Sequence, residues 1–122
     1  MQKITLGYIG ESMAENWLRA KGFQVLAHNY RCKHGEIDLI VIDADMLIFI
    51  EVKTRTTSTF GSPQASITHT KRSHLIKTAL HFLNTSTRKH YKTWRHDLIA
   101  IRLNRNHKLQ SLDHIKNIFD GY

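Results

Sequence analysis

The stretch EIDLIVIDADMLIFIEVK, residues 36–53, holds two runs rich in Ile, Val and Leu, separated by Asp43, Ala44 and Asp45. Short β-branched runs around a polar break read as a hairpin of two buried strands, 36–42 and 46–53. Yet Glu36, Asp38, Glu51 and Lys53 stand at its outer ends, where burying charge is costly. With Ala44 and Asp45 as the loop, Asp43 faces Met46, Asp38 faces Glu51 and Glu36 faces Lys53. A four-residue loop keeps the same faces and shifts only the register. One face then carries Asp38, Glu51 and Lys53, and the other Ile37, Leu39, Val41, Ile48, Ile50 and Val52.

Two carboxylates directly across a strand pair repel each other at a Cβ separation of about 5 Å. A divalent cation offsets that repulsion, and Mg²⁺ commonly takes one or two carboxylates plus waters and substrate phosphate oxygens. Lys53, on the same face as Glu51, can hold a water or a developing negative charge. Carboxylate, carboxylate and lysine around a hard metal form a phosphodiester-cleaving set. The simpler reading is solvated strand ends, with Glu36 and Lys53 as a surface ion pair contributing about 0.2–1 kcal/mol.

Working outward, Leu6, Ile9, Met13, Trp17 and Ala20 follow helical spacing over 6–21, and Gly22 marks the stop. At about 100° per residue, Glu11 falls only about 20° beyond Leu18, at the border of the apolar arc, and can reach the sheet. It is a candidate for the outer metal shell or a second metal. Residues 23–30 read as a first strand, followed by a turn at RCKHG. Thr68 can cap a second helix to about Leu83, with Leu75, Ile76, Ala79, Leu80 and Leu83 on its apolar face. Residues 97–103 read as a fourth strand, 104–107 as a turn, 108–112 as a weak fifth strand and 115–119 as a short final helix. The order is α-β-β-β-α-β: an α/β fold with a mixed sheet flanked by helices.

Composition supports a single domain over residues 1–122, since 41% hydrophobic content fills one modest core. The 18 Lys and Arg exceed the 10 Asp and Glu, a formal charge of +8, and nine His add to it as pH falls. A polyanion is the natural partner. Cys32, the only cysteine, excludes an intrachain disulfide, and the histidines show no HxxxH or HExxH spacing, against a zinc site. No run approaches the roughly 20 apolar residues of a membrane span, and MQKITLGYIGE lacks a signal-peptide core, so a soluble cytoplasmic protein is expected.

Residues 7–55, GYIGESMAENWLRAKGFQVLAHNYRCKHGEIDLIVIDADMLIFIEVKTR, resemble the bacterial YraN-type proteins of the restriction-endonuclease-like superfamily. The likeness continues through FGSPQASITHTKRSHL (60–75) and RHDLIAIRL (95–103), and more loosely through IKNIF (115–119). It implies the PD-(D/E)xK nuclease site, with Asp38 and Glu51 as metal ligands, Lys53 as the lysine, and Ile37 where the motif's proline would stand. Glu11 is similar to the first-helix acid of archaeal Holliday-junction resolvases. The expectation is a Mg²⁺- or Mn²⁺-dependent DNA endonuclease in which Asp38, Glu51 and the Val52 carbonyl hold the metal while Lys53 orients the attacking water.

Lys71 and Arg72 lie in the first turn of helix two, where positive charge opposes the macrodipole and a phosphate would be welcome. His74 and Lys77 extend that face, and Arg55 joins the nucleic-acid set. The connector 88–95 interleaves bases with aromatics, as nucleic-acid surfaces do. Trp94 equally suits a lid over the core. A two-stranded substrate would suit a homodimer. A non-catalytic nucleic-acid-binding module is the rival reading, and a scaffold docking an acidic protein a third.

Overall fold

The computed structural model of the chain describes residues 5–56, 61–85, 91 and 93–119. The elements are α1 (Leu6–Ala20), β1 (Gln24–Cys32), β2 (Gly35–Asp43), β3 (Met46–Thr56), α2 (His69–Thr85), β4 (Thr93–Leu103) and β5 (Leu109–Ile115), with a short 3₁₀ turn at Pro63–Ser66 before α2. The strands lie in the order β1-β2-β3-β4-β5. Only β3 and β4 run parallel, joined by the crossover through α2, so the sheet is mixed as expected.

Local chemistry sets the ends. The Thr5 hydroxyl accepts from the Tyr8 N–H at 3.1 Å and caps α1. Thr68 does the same for α2, accepting from the Lys71 N–H at 3.2 Å. The β2–β3 hairpin closes through Ala44 and Asp45 with Asp43 opposite Met46, Ala44 taking a left-handed φ of 57°.

The helices cover opposite faces. Ala14 and Leu18 of α1 pack with Leu39, Val41, Ile48, Ile50, Ile99 and Ile101. Leu75 and Ala79 of α2 pack with Ile37, Ile40, Leu47, Phe49 and Phe119. Ile37 was expected beside Leu39 and Val41 but lies on the α2 side. The cause is Asn29, whose φ of 53° breaks the pleat between the pairs His28–Leu39 and Tyr30–Ile37, so both strands exchange faces at Asn29 and Asp38.

Three other expectations change. Leu80 points outward at 43% exposure, and Thr78 is buried beside Ala79 in that helix turn, its hydroxyl donating to the His74 carbonyl at 2.7 Å. Trp94 is exposed rather than a lid. The final helix does not form: β5 runs to Ile115, opposite Leu98, and the Ile118 N–H donates to the His96 carbonyl at 2.8 Å. The open edge of β4 offers these residues more hydrogen bonds than one isolated helical turn would. Of the basic connector, 88–90 and 92 lie outside the described residues.

Two buried polar groups anchor this C-terminal end. Asp97 accepts from Arg95 at 2.9 Å, from the Asn117 N–H at 2.9 Å, and lies 2.7 Å from His114 Nε2. Burial raises the Asp97 carboxyl, but His114, Arg95 and Asn117 outweigh it and hold it below its ordinary value. His96, stacked between Phe49 and Phe119 at 5.2 and 4.9 Å, is lowered to about 4 by burial, against a smaller raising effect of Asp97.

A pH dependence follows. Between pH ~6.5 and ~4 the unfolded chain protonates this imidazole and the folded chain does not, so stability falls as pH falls, by up to about 3 kcal/mol. His96→Phe is expected to flatten that slope. Urea midpoints of both proteins at pH 7 and pH 4.5 check it.

Candidate active site

The paired register of β2 on β3 runs from Asp43–Met46 to Leu39–Ile50. At the next position, Asp38 Oδ2 accepts the Val52 N–H at 2.8 Å, so a side chain stands where a backbone carbonyl would continue the ladder. The N–H and C=O of one strand residue share an edge, so the Val52 carbonyl faces the same opening. Glu51 precedes it, on the α2 side with Leu47 and Phe49 by alternation.

The electrostatics follow from this crowding. Burial, then the neighbouring Glu51 carboxylate, push the Asp38 carboxyl up to about 8; Glu11 adds to the rise and the Val52 N–H opposes it. Asp38, Glu51 and Glu11 therefore share one neighbourhood, although Glu11 comes from α1 on the other face. Gly10 explains how α1 comes so close: a Cβ there would lie 1.7 Å from Thr54 Oγ1 and 2.8 Å from Thr54 Cβ. We expect Gly10→Ala to cost at least about 1–3 kcal/mol by pushing α1 off β3, measurable by urea denaturation.

Asn29 Nδ2 donates to Glu11 Oε1 at 2.7 Å and to Glu36 Oε1 at 3.2 Å. Glu36 also pairs with Arg31 at 3.1 Å across β1. The expected Glu36–Lys53 pair is thus replaced, because Glu36 answers to β1 rather than β3. Lys53 forms no ion pair among the described residues and follows Glu51 on the same face of β3.

Of the basic residues proposed for nucleic acid, Lys71 reaches furthest in, with its Nζ 3.2 Å from Glu51 Oε1. Arg72 lies over the Phe119 ring at 5.2 Å. Arg55 donates to the carbonyls of Gly61 and Ser62, at 2.5 and 3.0 Å, and pins the loop ahead of α2. His74 and Lys77 are exposed farther along α2. The sequence reading missed Asn29 and the reach of Lys71. The signal for the first was an Asn, tolerant of the left-handed conformation, inside a strand; the second depends on where α2 docks.

Among the described residues, no three His, Cys, Asp or Glu side chains gather closely enough to hold a metal alone. Asp38 and Glu51 with the Val52 carbonyl nevertheless fit a hard cation that keeps waters and phosphate oxygens as its remaining ligands. Asp38 accepts the Val52 N–H through Oδ2 and shares a side-chain hydrogen bond with Glu51, so the two carboxyl groups stand together at the opening.

A five-stranded mixed sheet with a helix on each face and paired acids where two strands part defines an α/β domain consistent with a restriction-endonuclease-like core. Residues 10–101 match the uncharacterised protein family UPF0102. A UPF0102 protein of Caldanaerobacter subterraneus is 38% identical over 120 residues, covering 98% of each chain. One of Geotalea daltonii is 41% identical, covering 95% of this chain and 90% of its own. One of Thermodesulfovibrio yellowstonii is 40% identical, covering 98% and 99%. The chain belongs to this family, the YraN-type group. No helix among its described residues is long and apolar enough to cross a membrane.

Proposed function

We propose that the protein is a Mg²⁺- or Mn²⁺-dependent endodeoxyribonuclease of the cytoplasm, acting on branched or single-stranded DNA in repair or recombination. The observation that carries this reading is the placement of Asp38 and Glu51 at the opening beside Val52, with Asp38 tied to the Val52 N–H. Burial, then the neighbouring Glu51 carboxylate, push the Asp38 carboxyl up to about 8, and a bound cation would offset both. When bound, the metal supplies Lewis-acid polarisation of the phosphodiester and acidifies the attacking water.

The chain's own residues do the rest. Asp38, Glu51 and the Val52 carbonyl would hold the cation. Lys53 would orient the water and meet the charge that grows on the phosphoryl oxygens. Glu11, fixed by Asn29, would hold outer-shell waters. Lys71, beside Glu51, would face a phosphate entering the site, and the formal charge of +8 draws DNA toward the protein. A homodimer would present two such sites to a two-stranded substrate.

The rival, a binding module without turnover, is favoured by one observation: the Lys71–Glu51 pair already gives one carboxylate a cationic partner. A panel of labelled branched, single-stranded and duplex DNAs, incubated with Mg²⁺, Mn²⁺ or EDTA, separates the two. Metal-dependent cutting of one class supports the enzyme; tight binding without cutting supports the module.

A further inference from the structure

The β1–β2 turn, Lys33 and His34, is not a free tip. Gly35 follows it with a φ of 149°, and a Cβ there would sit 3.3 Å from Thr78 Oγ1 and 3.5 Å from His74 Cβ, so the turn is seated directly on α2. Thr78 beneath it is fully buried. The seat leaves a groove of about 320 Å³ lined by Lys33, His34, Lys77, Leu80, His81 and Asn84, with no acid in its wall.

The Tyr30 hydroxyl lies 2.6 Å from His81 Nδ1. Lys71 and Arg31 are answered by Glu51 and Glu36, whereas Lys33 and Lys77 have no acidic partner among the described residues. Their charges tell on the one ring between them: partial burial, then Lys33, Lys77, His81 and His74, hold His34 below its ordinary value. An anion would relieve that crowding.

We propose that this groove is a second phosphate subsite, seating the nucleic-acid backbone some distance along α2 from the Asp38–Glu51 carboxylates. Along α2, Lys71 to His81 spans about 15 Å at 1.5 Å per residue. A B-form strand advances about 3.4 Å per nucleotide, so the two ends of the track stand about four nucleotides apart. The inference rests on the nuclease reading for what lies at the Lys71 end; the subsite itself needs only a polyphosphate backbone.

The test is Lys33→Gln with Lys77→Gln, both exposed positions, against wild type. Anisotropy of a labelled single-stranded oligodeoxynucleotide long enough to span the track is followed in EDTA over a salt series. Each phosphate of a single strand that a lysine no longer neutralises lowers the salt slope by about 0.7, so the double variant is expected to drop by about 1.4 in slope and roughly tenfold in affinity at low salt. In wild type, the amides of Lys33–Gly35 and Lys77–His81 should shift on adding the oligonucleotide, a readout needing no variant. An unchanged slope and affinity, or unshifted amides, would overturn the subsite. So would polyglutamate of equal charge displacing the oligonucleotide as well as nucleic acid does, since the groove would then serve an acidic protein. Weakened binding in the variant beside a wild type that cuts nothing would sink the nuclease reading and leave this one standing. Unchanged binding beside a cutting wild type would do the reverse.

Discussion

Lys53→Ala is expected to lower single-turnover cleavage on the order of a hundredfold or more while leaving Mn²⁺ and DNA affinity near wild type. In the proposed mechanism the ammonium is not a metal ligand and would act on an attacking water and on charge that grows toward the transition state, so its removal should tell on rate rather than binding. Its position supports that division: Lys53 follows Glu51 on the same face of β3 and is not committed to Glu36, which is held by Arg31 and Asn29. Cleavage with enzyme in excess, alongside DNA binding in Ca²⁺, reads both quantities. Equal cutting by wild type and variant would place the chemistry elsewhere.

Asp38→Asn and Glu51→Gln are each expected to abolish Mn²⁺ binding by calorimetry and to leave the fold intact. Asn at position 38 keeps an oxygen for the Val52 N–H, so the opening of the strands survives while a charged ligand is removed. Burial and Glu51 work against ionised Asp38 in the metal-free protein, so Asp38→Asn should unfold at or above the wild-type temperature in EDTA. In excess Mn²⁺ the order should reverse, because only wild type gains stability from the cation.

The faces of the hairpin were legible because its apolar runs and its charges agree, while its register stayed open between a two-residue and a four-residue loop; the observed pairing of Asp43 with Met46 is the two-residue case. The α-β-β-β-α-β order was legible from periodicity for the same reason. Ile37 was not, since strand alternation holds only while the backbone stays extended, and Asn29 departs from it at the position that matters most. The end of β5 was read as helix because IKNIF has a helical spacing, but local spacing says nothing of the open edge of β4 alongside it.

At the site, the type of each residue was informative and its partner was not. Asp38 and Glu51 could be paired from the hairpin alone, whereas Lys71 meets Glu51 only because the β3–α2–β4 crossover returns the start of α2 over the sheet. Glu11 was reachable from the helical wheel, and Gly10 gave the reason in the adjacent letter: a missing side chain lets the helix close on Thr54.

The most direct measurement of nuclease activity at this site is single-turnover cleavage by wild type and Asp38→Asn, on whichever DNA of the panel wild type binds most tightly, in Mn²⁺ and in EDTA. Wild type is expected to cut in Mn²⁺ alone, and Asp38→Asn in neither condition. Cutting by Asp38→Asn at the wild-type rate, or by wild type in EDTA, would contradict a metal-dependent nuclease centred on Asp38.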